Sequence, residues 1–373
     1  MNNPAENPQK EPLLRIAKRA ELPAGKIVIL RLLAVVLSLV AGGIFIACMG
    51  QNPLTIYGTI LSGACRSAMA FQGTVKLMIP LLITSLGVTL AFKMKFWNIG
   101  AEGQIIFGAT CATFFALFCS GMNHVLLIIV MFLAGFIGGG LWGLIPAVFK
   151  VRYNTNETLF TLMLNYIALH IVSYLRDGPW MDPGSQGFPK IARFDKNASL
   201  DKFLGIQFGW LIGLLLVVIV FIYLKYTKQG YEISVVGESQ DTARYAGMNV
   251  KKIILRTMFL SGGICGMAGM IQATGSDITL TTSVAGGVGF TAIIIAWLGQ
   301  LNPFAILLVS FLFSVLEKGS SVVQSNYGLS TDCADVLQGI ILFFILGCEF
   351  FVRYRFLFRT KVHSEKKIKA EGE

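Results

Sequence analysis

The sequence predicts an all-α polytopic integral membrane protein with about ten transmembrane helices, some of them broken or re-entrant. Hydrophobic residues make up 54% of the 373 residues and charged residues only 14%, and the mean hydropathy is +0.68. Soluble domains carry roughly 25% charged residues, so this composition places most of the chain in lipid. Apolar stretches of roughly 15 to 25 residues, long enough to cross a bilayer as helices, recur along the chain.

These apolar stretches are the predicted spans. In chain order they are 27–49, 74–92, 105–122, 125–149, 158–175, 206–226, 253–273, 288–300, 303–316 and 334–352. The eighth and ninth are short and lie beside glycines, so either could be a half-helix or a re-entrant segment. Glycine clusters at 138–140 and 262–266 predict close helix packing. The cluster at 286–289 follows a polar Thr/Ser stretch and predicts a re-entrant element near the outer mouth.

Basic residues determine the predicted orientation, because Lys and Arg near span ends are retained on the cytoplasmic side. With both termini inside, most of the 31 Lys and Arg residues fall in inner segments. The predicted organisation is a cytoplasmic tail (1–26), a transmembrane domain (27–352) with an outer loop (176–204) and a cytoplasmic loop (227–252), and a basic cytoplasmic tail (353–373). The net charge of +11 then reflects topology, and nucleic-acid binding is the weaker interpretation of it.

Motifs for metal binding, ATP binding and covalent catalysis are missing from the sequence. The seven cysteines form no Cys-x-x-Cys, and the three histidines are not spaced as a metal pair. No Gly-x-x-x-x-Gly-Lys-Ser/Thr motif occurs, so this chain cannot hold ATP phosphates in a P-loop. We therefore expect no catalytic residue, no metal and no cofactor in this chain, and an energy source elsewhere.

A polar stretch between the second and third spans is the most informative part of the sequence. Asn98, Glu102 and Gln104 lie among glycines, where each unpaired polar group would cost several kcal/mol in hydrocarbon. Such groups persist where they are buried in protein or line an aqueous path. Aromatic neighbours add possible stacking surfaces for a flat solute. The residues expected to line a substrate path are Asn98, Glu102, Gln104, Asn165, Phe96 and Trp97.

The same polar side chains also have a structural interpretation. Asn98 and Gln104 could hydrogen-bond the broken backbone at the helix ends. Glu102 could be the helix-end partner of Lys93 or Lys95. Both interpretations remain open beside direct contact with a solute.

The fifth span carries a similar ambiguity. Asn165, Tyr166 and His170 lie at helical spacing within it. Hydrogen bonding between helices is a common role for such side chains in membranes. We expect that role for the three residues, with solute contact by Asn165 as the alternative.

The cytoplasmic loop contains a predicted short helix. Ser239 has the side chain of an N-cap, and Gly247 can end a helix in the left-handed conformation. The sequence between them is Gln-Asp-Thr-Ala-Arg-Tyr-Ala. This pattern predicts a compact helix presented to the cytosol, and a solvated connector is the alternative.

Several segments are similar, in the same order, to signatures of a single transporter family. Residues 96–104, Phe-Trp-Asn-Ile-Gly-Ala-Glu-Gly-Gln, are similar to a Phe-Asn-Ile-Gly-Ala-Glu-Gly-Gln motif. Residues 156–168 are similar to Asn-Glu-Val-Ile-x-Thr-Leu-Met-Leu-Asn-Tyr-Ile-Ala. The pattern continues in residues 242–247, 262–269 and 286–303. The chain thus resembles the branched-chain amino acid/simple-sugar permeases of ABC importers, in their nucleoside (guanosine-type) branch.

One departure from the family pattern concerns an acidic position. Residues 290–293 read Phe-Thr-Ala-Ile, where relatives tend to have Phe-Asp-Gly-Ile. A role for that acidic residue is therefore not carried over, and the identity of the substrate stays the most open point.

The resemblance implies a type II-like ABC importer permease fold and a chain that carries solute without covalent chemistry. It implies a cytoplasmic ABC ATPase that holds ATP and magnesium, a second homologous permease subunit, and a substrate-binding lipoprotein outside, with membrane lipid around them and no nucleic acid. The implied location is the bacterial cytoplasmic (inner) membrane. Nucleosides are the first choice of cargo, followed by simple sugars and riboflavin. The residues implied to contact the ATPase are Gln240, Asp241, Ala243, Arg244, Tyr245, Ala246 and Gly247.

A proton- or sodium-coupled secondary transporter of a small polar solute is the alternative function. Such coupling favours buried, pairable carboxylates within spans. Glu102, Glu157, Asp277 and Glu317 instead lie at span ends or at glycine-rich breaks. The sequence therefore favours energy supplied by a separate ATPase.

Overall fold

The computed structural model describes residues 14–18, 23–185, 187–328, 330 and 332–358. The chain divides into two compact units, one of residues 54–334 and one of residues 1–53 with 335–373. Most of the predicted tails, 1–26 and 353–373, lies outside the described residues. The helices are α1 (Ala24–Cys48), α2 (Pro53–Cys65), α3 (Ala68–Lys93), α4 (Ala101–Phe118), α5 (His124–Tyr153), α6 (Glu157–Asp177), α7 (Gly209–Tyr226), α8 (Lys228–Glu238), α9 (Gln240–Tyr245), α10 (Val250–Gln272), α11 (Val288–Leu298), α12 (Pro303–Tyr327) and α13 (Asp332–Arg353).

The smaller unit contains α1, most of α13 and a two-stranded antiparallel sheet. Its strands are β1 (Leu14–Lys18) and β4 (Tyr354–Phe358). Leu14 lies opposite Phe358, and Lys18 lies opposite Tyr354. The pairing therefore brings the chain before α1 next to the chain after α13.

The predicted membrane class is confirmed, since seven helices in the described part of the chain are long and apolar enough to cross a bilayer. The predicted count of ten spans is not confirmed. The seven candidates are α3, α4, α5, α6, α7, α10 with its π-helical continuation to Asp277, and α12.

The two short predicted spans have different outcomes. Helix α11 has 11 residues, which at about 1.5 Å per residue reach about half of a hydrocarbon core of about 30 Å. Helix α12 has 25 residues and is a full-length candidate, so the predicted end at 316 is too early. The helix continues because α2 covers its polar second half, where Gly319 lies against Ile60. It ends at Gly328, which has a φ of 67°.

The core of the larger unit is built from α3, α4, α5 and α10. Helix α3 is buried without interruption from residue 78 to residue 92. A Cβ atom at Gly266 of α10 would overlap the Gly135 carbonyl oxygen of α5, and one at Gly108 of α4 would overlap Gly266. A Cβ atom at Gly139 would likewise overlap the Gly262 carbonyl oxygen, so the glycine clusters at 138–140 and 262–266 act in close helix packing, as predicted.

The segment between α6 and α7 folds back over the end of α10. It contains a 3-10 turn (Lys196–Ala198) and a hairpin of β2 (Lys202–Phe203) and β3 (Ile206–Gln207). The Phe194 amide donates to the Ile278 carbonyl oxygen, and the Thr279 hydroxyl donates to the Ile191 carbonyl oxygen. From there the chain runs back to α11, whose first residues lie beside the start of α4.

Candidate translocation and coupling sites

Asn98 and Gln104 form a reciprocal carboxamide pair at the start of α4. Asn98 Nδ2 donates to Gln104 Oε1, and Gln104 Nε2 donates to Asn98 Oδ1, both at 3.2 Å. Asn98 Oδ1 also accepts from the Gly100 amide at 3.0 Å. Both side chains are buried. Their polar atoms thus pair with one another and with the broken backbone, which is the structural alternative that the sequence left open.

Asn165 joins α6 to the same break. Its Nδ2 donates to the Ile99 carbonyl oxygen at 2.9 Å, and its Oδ1 accepts from the Gly103 amide at 2.8 Å. One turn earlier, Thr161 Oγ1 accepts from the Ile99 amide at 3.2 Å. The predicted hydrogen bonding between helices is confirmed for Asn165. These bonds also fix the rotation of α6 about its own axis.

Glu102 holds the N-terminus of α11. Its carboxylate accepts from the Gly287 amide at 2.8 Å and from the Gly289 amide at 2.7 Å. The first amides of a helix lack partners within the helix and carry partial positive charge, so a carboxylate is the favoured partner. The carboxylate therefore bonds the start of α11, and the pairing with Lys93 or Lys95 that is one interpretation of Glu102 is not found.

The glycines at this contact are required by its geometry. A Cβ atom at Gly289 would overlap the Glu102 backbone nitrogen, and Gly287 has a φ of 84°. The sequence predicts a re-entrant element near the outer mouth at residues 286–289. Gly287 and Gly289 instead contact Glu102 at the start of α4, and no signal in the sequence identifies this partner.

Phe96 and Trp97 have different environments. Phe96 is buried among Ala91, Ile233 and Val236, so it packs against the loop that carries α8 and α9. The Trp97 side chain is 48% exposed and stacks on Trp297 of α11, with ring centroids 5.7 Å apart and an interplanar angle of 25°.

The segment of residues 96–102 therefore holds both ends of α11. Glu102 bonds its first amides, and Trp97 stacks on Trp297 near its last residue. Phe92 of α3 adds a ring contact to both tryptophans at 5.7 Å. Trp297 could not be identified from the sequence, since a tryptophan in an apolar run carries no signal of a specific partner.

The predicted short helix in the 227–252 loop is confirmed as α9. Ser239 Oγ accepts from the Thr242 amide at 3.2 Å, and Gly247 follows with a φ of 75°. Ala243 is fully buried, while Tyr245 is 94% exposed. Arg244 pairs with Asp241 at 2.8 Å, and both side chains are largely exposed. Gln240, Ala246 and Gly247 are exposed as well.

Helices α8 and α9 are firmly attached to the transmembrane core. Glu232 of α8 pairs with Arg256 of α10 at 3.0 Å, and both side chains are mostly buried. A Cβ atom at Gly237 would overlap the Lys93 carbonyl oxygen at the end of α3. Ala243 packs in the same apolar cluster as Phe96. Helices α8 and α9 therefore form a platform that packs against α3, α10 and the 96–102 segment, with one side of α9 exposed.

Comparison with known proteins relates this architecture to one transporter family. The sequence model of the protein family described as the branched-chain amino acid transport system / permease component matches residues 69–346. The chain is 31% identical over 355 residues to the glucose ABC transporter permease protein of Haloferax volcanii, which covers 92% of this chain and 93% of the relative. It is 28% identical to the guanosine ABC transporter permease protein NupP of Bacillus subtilis, with 84% of this chain and 91% of the relative covered.

A third relative has a similar coverage. The nucleoside ABC transporter permease protein NupB of Lactococcus lactis is 29% identical, with 92% of this chain and 95% of the relative covered. The family match spans the helical core, the 96–104 segment and the loop that carries α9. This chain therefore belongs to the family of branched-chain amino acid transport system permease components and is a membrane-embedded ABC transporter permease.

Proposed function

We propose that this permease imports nucleosides across the bacterial cytoplasmic membrane, driven by a separate ATPase. Two relatives are named for guanosine and nucleosides, and the segment at 156–168 is similar to the nucleoside branch. Simple sugars are the second candidate cargo, because one relative is named for glucose. Riboflavin follows, through a 21% identical relative from Treponema pallidum named as a probable riboflavin import permease.

The exposed position of α9 is the observation that best supports an ATP-driven mechanism. Arg and Tyr are enriched among residues that dominate protein–protein affinity, and Arg244 and Tyr245 both project from α9. The residues proposed to dock in the ATPase are Gln240, Asp241, Arg244, Tyr245, Ala246 and Gly247, with Ala243 anchoring the helix from below. ATP and magnesium would be held by that partner, and this chain contributes no catalytic group.

A continuous set of packed and hydrogen-bonded residues connects α9 to the transmembrane helices. Ala243 and Phe96 share one apolar cluster, and Phe96 is followed by the segment that bonds α6 and both ends of α11. A shift of α9 on ATP binding by the partner would move the 96–102 segment, and through it α11. We propose that this movement opens and closes the solute path.

Direct solute contact by the six residues that are predicted from the sequence to line the substrate path stays a prediction. Asn98, Gln104 and Asn165 are engaged in hydrogen bonds that stabilise the break before α4. Trp97 has the largest exposed surface of the six and the geometry of a stacking platform. We propose Trp97 as the member that solute meets, and the others as its support.

The proposed assembly contains a second homologous permease, the ATPase and an extracytoplasmic binding lipoprotein. The pairing of β1 with β4 supports termini on one side of the membrane, since residues on both sides of the helical region lie together. The proposed topology puts both termini and α9 in the cytoplasm, in agreement with the basic residues of the inner segments.

The proposal is tested by replacing both Arg244 and Tyr245 with Ala. We expect the ATPase to be lost from the purified complex and nucleoside uptake to fall to background, with normal amounts of permease in the membrane. Phe188→Ala is the matched control, because Phe188 is also a highly exposed aromatic residue (86%, against 94% for Tyr245) and lies far along the chain from α9. Uptake that survives loss of the ATPase would overturn the proposal in favour of an ion-coupled transporter.

A further inference from the structure

Helix α6 has an exposed face whose chemistry differs from that of its neighbours. Between its charged ends, the exposed residues are Leu159, Met163, Tyr166, Ile167, His170 and Tyr174. The exposed faces of α5 and α7 carry only apolar side chains within the span, for example Ile129 and Leu133 on α5 and Leu215 and Ile219 on α7. The faces of α5 and α7 are typical of lipid contact, and the face of α6 is not.

The polar residues of this face lie at depth. Glu157, paired with Lys150 at 2.8 Å, marks one end of α6, and Arg176 lies in its last turn. At about 1.5 Å per residue, Tyr166 lies about 14 Å and His170 about 20 Å from Glu157, on a helix of about 32 Å. Tyr174 lies near the far end, where aromatic residues commonly meet the membrane surface. Tyr166 and His170 are therefore the residues that need an explanation.

Neither side chain is satisfied within the described part of the chain. The Tyr166 hydroxyl and the His170 ring make no hydrogen bond to another described residue, whereas the adjacent Asn165 makes two. Ionisable and polar side chains at bilayer depth almost always face a protein interior or a water-filled cavity. Because Asn165 fixes the rotation of α6, the helix cannot turn this face inward without breaking those bonds.

A groove continues the same face toward Glu157. It has a volume of about 430 Å³ and is lined by residues that include Leu159, Phe160, Met163 and Ile167. This volume lies within the range of small-molecule sites, roughly 300–1,000 Å³. The groove and the pair of Tyr166 and His170 thus follow one another along one face of one helix.

We propose that this face of α6 lines the water-filled solute path, with Tyr166 and His170 contacting a solute that has a planar ring and hydroxyl groups. The Tyr166 ring would stack on the base, and the His170 imidazole would exchange hydrogen bonds with ribose hydroxyls. The apolar groove would then take the solute on toward the end of α6 at Glu157. The class of solute in this inference rests on the proposed function. The prediction that water reaches this face of α6 does not depend on it.

Thiol accessibility tests the wetted face first. Tyr166→Cys and His170→Cys, in the complete transporter in native membranes, are treated with a charged, membrane-impermeant methanethiosulfonate. Peptide mass spectrometry reads each site, so the native cysteines do not interfere. Leu215→Cys on α7 is the lipid-facing reference, and Phe188→Cys between α6 and α7 is the water-facing reference. We expect both test positions to react at rates close to that at position 188 and to be protected by guanosine.

Uptake kinetics test the contact with solute. Base–aromatic stacking corresponds to about a tenfold effect or more, so Tyr166→Ala should raise the KM for guanosine about tenfold while Tyr166→Phe retains it. The Phe variant also distinguishes a missing contact from a folding defect. His170→Gln should keep more affinity than His170→Leu, because glutamine retains a donor and an acceptor.

Three results would overturn parts of the inference. Labelling as slow as at position 215 would show that the face meets lipid or a protein partner. Rapid labelling without protection by guanosine, together with an unchanged KM in Tyr166→Ala, would refute solute contact. Protection by glucose but not guanosine would refute the planar-ring solute. The labelling reaction does not require the ATPase. The result on the wetted face therefore stands by itself even if the Arg244 and Tyr245 double variant disproves the ATP-driven mechanism.

Discussion

The contact between Glu102 and the start of α11 gives the sharpest test of how this permease is held together. We expect Glu102→Gln to loosen α11 without disturbing α4. The carboxylate accepts two backbone hydrogen bonds, at 2.8 Å from Gly287 and 2.7 Å from Gly289. A glutamine has one oxygen that can accept, and its amide group would face the second N–H as another donor. One bond is kept in a weaker, neutral form and the other is lost.

The expected size follows from the number of bonds lost. A hydrogen bond to a charged group contributes about 2 kcal/mol and a neutral one about 1 kcal/mol, so Glu102→Gln should lose about 3 kcal/mol and opening at this contact should become about 150-fold easier. Glu102→Ala removes both bonds and should add about 4 kcal/mol, or about a thousandfold. The graded pair of variants distinguishes a hydrogen-bonding effect from a general loss of packing.

Hydrogen–deuterium exchange of the complete transporter in lipid nanodiscs measures this directly. Peptides that cover residues 284–290 should exchange faster in the order wild type, Glu102→Gln, Glu102→Ala. Glu157→Gln is the matched control, because Glu157 is also mostly buried near a helix start but pairs with Lys150 instead of α11. Unchanged exchange at 284–290 in Glu102→Ala would refute the reasoning and leave the aromatic contact at Trp297 as what positions α11.

Two further predictions concern helix packing and the hydrogen bonds of Asn165 on α6. Gly266→Ala places a methyl group against the Gly135 carbonyl and the Gly139 backbone, so the free energy of unfolding should fall by about 3 kcal/mol or more. The purified permease should then melt at a lower temperature, whereas Gly121→Ala, with no atom within 4 Å of its added Cβ, should melt like wild type. Asn165→Leu leaves the Ile99 carbonyl and the Gly103 amide without their partner, so the free energy of unfolding should fall by about 2 to 4 kcal/mol. Thermal unfolding measures this loss, and Met163→Leu on the exposed face of the same helix should melt like wild type.

The sequence predicts the parts of this fold that depend on local chemistry. Long apolar stretches place α3, α4, α5, α6, α7 and α10, because crossing a bilayer requires a continuous run of such residues. The cap at Ser239 and the left-handed Gly247 place α9, because both signals act within a few residues. Hydropathy alone ended α12 too early, since its second half is polar and is covered by α2.

Contacts between distant residues could not be predicted in the same way. Glu102 and Gly287 are 185 residues apart, and a carboxylate beside glycines is equally compatible with a lysine partner seven or nine residues earlier in the chain. Phe96 and Trp97 are adjacent in sequence, yet one is buried beneath α8 and the other stacks on α11. The direction in which each side chain points depends on the break before α4, which is a property of the tertiary structure.

The segment of residues 96–102 explains why polar groups are kept at the break before α4. Phe96 joins it to the platform of α8 and α9, Asn165 joins it to α6, and Glu102 and Trp97 join it to α11. An unbroken apolar helix here would satisfy its own backbone and could offer none of these bonds. The break therefore makes one short segment the common neighbour of the coupling helix, of the helix proposed to line the path, and of the half-helix proposed to gate it. Because these links are hydrogen bonds and ring contacts instead of continuous helix, each can be broken separately. The Glu102→Gln, Glu102→Ala and Asn165→Leu variants should therefore change transport without changing the binding of the ATPase to α9.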